Sequence, residues 1–158
     1  MGNCQELFDE VTVITAVPVA DFTEVGRTAL SPTIDKGYFS PTLTNAIVIG
    51  RELAVTNGAL IPIKGRAKAK DSTQDNTAGR LHTVSVDCTV DDRDGDVWQY
   101  LLNLERNPMH LILNFRNGGR AFVHGDRDSY LCQVERDSGT TNVSFRIQNL
   151  MGIQLIVD

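Results

Sequence analysis

Residues 94–119 read DGDVWQYLLNLERNPMHLILNFRNGG, and this stretch decides the fold. Its first half has an acidic segment that suits a helix N-cap, and an Asn-Pro pair that ends a helix. Apolar residues recur between them with helical spacing at Val97, Leu101 and Leu104, so one face of about three turns is apolar. The pattern predicts one short helix over about residues 94–106.

The second half of the stretch predicts antiparallel strands. Apolar side chains alternate from Met109 to Phe115, which is the period of a half-buried strand. The Asn117-Gly118 pair then favours a tight hairpin, because both residues tolerate a positive φ. The same alternation returns in residues 130–135 and 142–148. With the strands expected before the helix, the count is about eight or nine.

Residues 63–90 predict a long hairpin that projects from the domain. Four cations of its first strand fall on one face, because strand side chains alternate sides with a period of two; they are Lys64, Arg66, Lys68 and Lys70. Residues 71–79 are polar or small and predict a flexible tip, and residues 81–90 return as the second strand. An exposed hairpin of this length requires a cover for its edges, and we expect another protein subunit to supply it.

The cations of this hairpin repel one another unless acids or phosphates lie opposite them. The chain has 20 acidic residues against 15 Lys and Arg, a net charge of -5, which argues against a dedicated nucleic-acid binder. We therefore predict that acids of a neighbouring subunit face the cations. The predicted interface comprises the four cations together with Asp71, Asp75, Asp91 and Asp92.

Length and composition predict a single β-rich domain over residues 1–158, with an N-terminal arm at about 1–10 and a long loop or arm at about 20–44. Such a loop is unusual in a compact monomer, and an arm ordered on a neighbouring subunit would explain it. No apolar run is long enough to span a bilayer, and no basic segment followed by an apolar one marks a signal peptide. We expect the chain to be made and kept in a cytoplasm, without membrane contact.

The sequence carries no catalytic signature, and we expect neither enzymatic activity nor a cofactor. The acidic run 91–96 fails as a calcium loop, because Val90 and Leu101 occupy its first and last ligand positions. The histidines lack ligand spacing, and Cys88 and Cys132 lie on the apolar phase of their strands, where a thiol acts as a small hydrophobe. A pair of carboxylates that only the fold brings together stays open as an alternative.

The element pattern predicts an antiparallel β-sandwich or partly closed barrel, with the short helix covering one open edge. The order of basic strand, polar tip, returning strand, helix with a Leu-Leu-x-Leu core and terminal strands resembles the tail-tube proteins of bacteriophages that infect Bacteroidetes, over residues 59–157. In that superfamily a β-sandwich or barrel with one flanking helix forms rings, and a long hairpin contacts the next ring. The basic stripe departs from the family, since lumens that conduct DNA tend to be acidic.

This resemblance implies a structural subunit of a virion tail, either the tail tube or a related ring or completion protein. It would assemble in the host cytoplasm with itself and other tail proteins, and DNA would be at most passing cargo. The alternative is a free-standing β-barrel module that binds a ligand or carbohydrate. Only 6% of the residues are aromatic, which favours assembly over glycan binding.

Overall fold

The computed structural model describes residues 10–19, 22–24, 33–35, 39–41, 47–50, 59–62, 67–76, 79–91, 96–125, 129–137, 140–149 and 152–157. These residues form thirteen strands and one helix, so the protein is mainly β as predicted, with more strands than the eight or nine expected. The elements are β1 (Val11–Pro18), β2 (Phe22–Glu24), β3 (Thr33–Asp35), β4 (Phe39–Pro41), β5 (Ile47–Gly50), β6 (Ala59–Pro62), β7 (Lys68–Asn76), β8 (Gly79–Asp91), α1 (Asp96–Arg106), β9 (Met109–Phe115), β10 (Arg120–Val123), β11 (Tyr130–Asp137), β12 (Thr140–Asn149) and β13 (Ile153–Val157).

Two main sheets carry most of these strands. The larger sheet has seven strands in the order β3-β13-β10-β9-β1-β5-β6, antiparallel except for parallel pairs at its two edges. The smaller sheet is wholly antiparallel, with the order β11-β12-β8-β7. Strands β2 and β4 form a separate pair. Among the described residues, an isolated bridge between Val11 and Ala67 links the two main sheets, an arrangement that fits the predicted sandwich.

The core lies between the two sheets, because the inward phase of each strand is apolar. The smaller sheet contributes alternate residues such as Val86 and Phe145, and the larger sheet contributes Leu111 and Leu113. All four are fully buried and belong to one continuous cluster. The alternation that predicted the strands is therefore also what builds the core.

Helix α1 covers the β11 edge of the smaller sheet, as predicted. Leu101 and Leu104 are fully buried in the core cluster. The Tyr130 hydroxyl donates a hydrogen bond to the Leu104 carbonyl at 2.7 Å, and the Val134 N–H donates to Glu105 Oε1 at 2.8 Å. A helix side chain thus satisfies a main-chain donor that an edge strand would otherwise present to a new strand.

The larger sheet is buried on its second face as well, which the sequence analysis did not predict. Strand β1 is buried at five successive positions from Val13 to Val17, as is typical of a strand covered on both sides. His110 of β9 is buried on the second face of the sheet, away from the core cluster. The centroid of its ring lies 5.4 Å from that of Phe122 and 4.7 Å from that of His124. The period-of-two pattern of β9 therefore reflects only its core-facing half.

Two regions that the sequence predicts as loops contain strands. Residues 20–44 contain β2, β3 and β4, and β3 pairs with β13 of the same chain, so this region is not solely a loop or arm. The polar hairpin tip, predicted over residues 71–79, is strand as far as Asn76, which pairs with Gly79. Polar residues continue the strand because β8 supplies a partner along the whole of β7. Residues 1–9 of the predicted arm lie outside the described residues.

Candidate subunit interface

The β7–β8 hairpin brings the predicted interface to one edge of the smaller sheet, where β7 is the last strand. The predicted alternation holds in the part that the structure describes: Lys68 and Lys70 are exposed, whereas Ala67 is buried and Ala69 packs against the core. Lys64 and Arg66 lie outside the described residues. Whether the hairpin projects beyond the domain stays a prediction.

An acid of the same chain faces the first of these cations. In the β7–β8 register, Lys68 lies directly opposite Asp87, and both residues are exposed. Opposed residues of an antiparallel pair have Cβ atoms about 5 Å apart, so their charges attract. Asp87 is not among the predicted site residues. Its place follows from the register, because the closing pair Asn76 and Gly79 fixes which residues of β7 and β8 face each other.

A second row of residues on the same face crosses all four strands of the smaller sheet. Ser85 faces Lys70 on one side and Arg146 on the other, and Arg146 in turn faces Leu131. Arg146 is exposed, and Leu131 is a large apolar side chain that is 51% exposed. This outer face therefore combines two cations with an apolar contact point. Arg146 and Leu131 were not among the predicted site residues, because only strand pairing places them beside Lys70.

The sequence predicts that Asp71 lies in a flexible tip, but the structure places it within strand β7. Its side chain is only 14% exposed, and Oδ1 lies 2.9 Å from His82 Nδ1. Its other oxygen, Oδ2, accepts a hydrogen bond from the Ile153 N–H at 3.0 Å, so the carboxylate joins β7 to β13 of the larger sheet. Gly152, at φ +66, packs so closely that a Cβ there would collide with Asp71 and His82. Asp71 thus links the sheets within one chain.

The remaining predicted acids lie at different ends of the hairpin. Asp75 pairs with Arg80 beside the turn, and Asp91 is the last residue of β8, opposite Thr140. These two ends are about 36 Å apart at about 3.3 Å per residue along β8. The side chains of Asp75 and Asp91, and the whole of Asp92, lie outside what the structure describes.

The described cysteines lie in the core. Cys88 and Cys132 are buried between the sheets, as their strand phase predicted, and burial raises the pKa of each thiol from 9.0 to about 12. Burial likewise raises the pKa of the neighbouring Tyr130 hydroxyl. Within the described ranges, no group of three or more His, Cys, Asp or Glu could hold a metal ion.

Comparisons with protein-family models, with curated proteins and with solved structures find no match for this chain. In the part that the structure describes, no helix is both long and apolar enough to cross a membrane.

Proposed function

We propose that this chain is a structural subunit of a phage tail, a tail-tube subunit or a related ring or completion protein that assembles with copies of itself and with other tail proteins. The observation that carries the proposal is the composition of β7, an edge strand with exposed Lys68 and Lys70 on its outer face. A β-sandwich with a helix against one edge supports it, because that is the architecture expected of a tail-tube subunit.

The outer face of the smaller sheet is the surface that meets a neighbour. Lys70 and Arg146 supply positive charge in one row, and the exposed Leu131 supplies an apolar contact in the same row. Exposed ion pairs contribute about 0–1 kcal/mol each, so these charges select the partner and its alignment more than they add affinity. The chain has more acidic than basic residues, so a second copy can supply acids that pair with these cations.

Charge reversal on this face tests the proposal against a matched control. Lys70→Glu should keep the fold and abolish or shift assembly, whereas Arg120→Glu, an exposed reversal on the larger sheet, should assemble like the parent. Light scattering after size-exclusion chromatography and negative-stain microscopy measure the outcome. Raised salt should weaken the parent assembly in the same direction.

Three results would contradict the proposal. A parent chain that stays monomeric at every concentration favours the free-standing binding module. Equal assembly of both variants removes the outer face from the interface. Normal assembly of Lys70→Glu with weakened binding to DNA identifies the cations as a nucleic-acid contact.

A further inference from the structure

The two edge strands of the smaller sheet, β11 and β7, differ in the hydrogen bonds that their outward main-chain groups make. At the β11 edge, Glu105 of helix α1 accepts the Val134 N–H. At the β7 edge, the main-chain bond found among the described residues is at the base of the strand, where the Ala67 carbonyl accepts the Val11 N–H at 3.3 Å. An edge strand of nine residues, Lys68–Asn76, thus continues beyond that bond. Such an edge can accept another strand.

The bond at Ala67 also fixes which residues of β7 point away from β8. In an antiparallel ladder, successive residues direct their main-chain groups to opposite sides. Because Ala67 bonds outward, the odd-numbered residues of β7 direct their N–H and C=O groups outward. The β7–β8 register gives the same phase, since Asn76 and Gly79 are its last pair, and a closing pair that shares main-chain hydrogen bonds turns even-numbered residues toward β8.

We propose that two copies of this chain pair edge to edge through antiparallel β7 strands, with Ser72 facing its own counterpart across a two-fold axis. This deepens the proposed function, on which it rests, because it names the surface and partner of one self-association contact. Outward-directed residues must meet outward-directed residues, which allows a two-fold axis only at a residue and not between residues. An axis at Ser72 is the one that overlaps the whole of β7.

The charges of β7 favour the same alignment. With the axis at Ser72, Lys70 faces Gln74 and Lys68 faces Asn76, so no like charges meet. An axis one residue earlier sets Asp71 against itself. An axis one residue later sets Asp71 against Asp75, and one at Lys70 sets that lysine against itself. Lysines on an edge commonly prevent strand pairing; here Asp71 and Lys70 penalise the shifted alignments, and the full alignment sets no like charges against each other.

The full alignment also makes good use of the edge. It pairs Ala69 with Asp75 and Asp71 with Thr73, twice each by symmetry, which amounts to about eight main-chain hydrogen bonds. Two four-stranded sheets would then form one continuous sheet. The Asp71 bonds to His82 and Ile153 hold the middle of β7 in place before the partner arrives.

A cysteine at the axis tests this alignment directly. In a Cys4→Ser background, Ser72→Cys should form a disulfide-linked dimer under mild oxidation, because opposed residues that do not share main-chain bonds bring their Cβ atoms close enough. Asn142→Cys is the control: it is also exposed and lies on β12, away from the edge. Equal cross-linking of the two variants would overturn the proposal.

A proline at the edge tests the main-chain bonds without relying on cysteine chemistry. The outward N–H of Thr73 is not used by β8, so Thr73→Pro should keep the hairpin and weaken dimerisation roughly tenfold or more. Thr73→Val keeps the N–H and should associate like the parent. Sedimentation equilibrium measures association, and circular dichroism checks the fold. A Thr73→Pro chain that associates as tightly as the parent would refute the pairing.

The outcomes separate this inference from the proposed function. Rings that form without cross-linking of Ser72→Cys would contradict the edge contact and support the proposed tail subunit. Cross-linked dimers that never form rings or tubes would support the edge contact and contradict the proposed tail subunit. A chain that stays monomeric under all conditions would contradict both proposals.

Discussion

The link between the two sheets at Asp71 makes a sharp prediction about stability. Its carboxylate accepts the Ile153 N–H through one oxygen and contacts His82 through the other, and both side chains are largely buried. A hydrogen bond to a charged group contributes about 1.5–3 kcal/mol, and removing one partner leaves the other unsatisfied. We expect Asp71→Ala to lower the free energy of unfolding by about 2–3 kcal/mol. The melting temperature should fall by about 4–12 °C for a chain of this size.

The amide at this position provides a finer test. In Asp71→Asn, the side-chain oxygen can still accept a hydrogen bond from the Ile153 N–H, and the amide N–H can donate to His82 Nδ1 when that nitrogen carries no proton. The loss should therefore be about 1 kcal/mol or less. Ser72→Ala, on the exposed side of the same strand, controls for strand propensity. Urea denaturation at low protein concentration measures all three. Equal stability of Asp71→Ala and Ser72→Ala, or equal losses for Asn and Ala at position 71, would contradict a stabilising link at Asp71.

Other predictions follow from the core and from the hairpin. Leu101→Ala should destabilise the fold by about 2–5 kcal/mol because it truncates a fully buried side chain, while the exposed Asn103→Ala should not; equal melting temperatures would contradict the packing of α1. Because burial raises the pKa of the Cys88 and Cys132 thiols from 9.0 to about 12, the unfolded state loses these protons first, and stability should fall between about pH 9 and pH 12. Cys88→Ala should reduce that slope by about 1.4 kcal/mol per pH unit, and an unchanged slope of denaturation midpoint against pH would count against it. Limited proteolysis near residues 71–79 should cut the monomer faster than the assembly. Equal cleavage rates would contradict a role for the hairpin in assembly.

The parts of the fold that the sequence predicted are those set by local periodicity. The helix, the alternating strand β9 and the turn at Gly118, where φ is +92, each follow from a pattern within about a dozen residues. The burial of both faces of β1 could not be predicted, because an apolar run shows that a strand is buried and does not show what covers it. The bond between Asp71 and Ile153 spans 82 positions, a distance at which one sequence carries no local signal.

The candidate interface divides in the same way. Alternation along one strand correctly predicted that Lys68 and Lys70 would be exposed, since it depends on that strand alone. The partners across the sheet depend on the register, which is why Asp87 and Arg146 were missed. Asp71 was assigned to a flexible tip because the residues around it are polar, and polarity alone does not distinguish a loop from a strand that has a hydrogen-bonded neighbour.

One geometric feature connects the charged face to the open edge. The pairing of Asn76 with Gly79 sets the β7–β8 register, and this register places Lys68 opposite Asp87. It also determines which main-chain groups of β7 point outward. A shift of β7 by one residue relative to β8 would reverse both features. It would turn the lysine side chains toward the core, and it would turn the outward N–H and C=O groups of β7 toward β8. The two surfaces proposed for self-association are therefore not independent, because both depend on the pairing of Asn76 with Gly79.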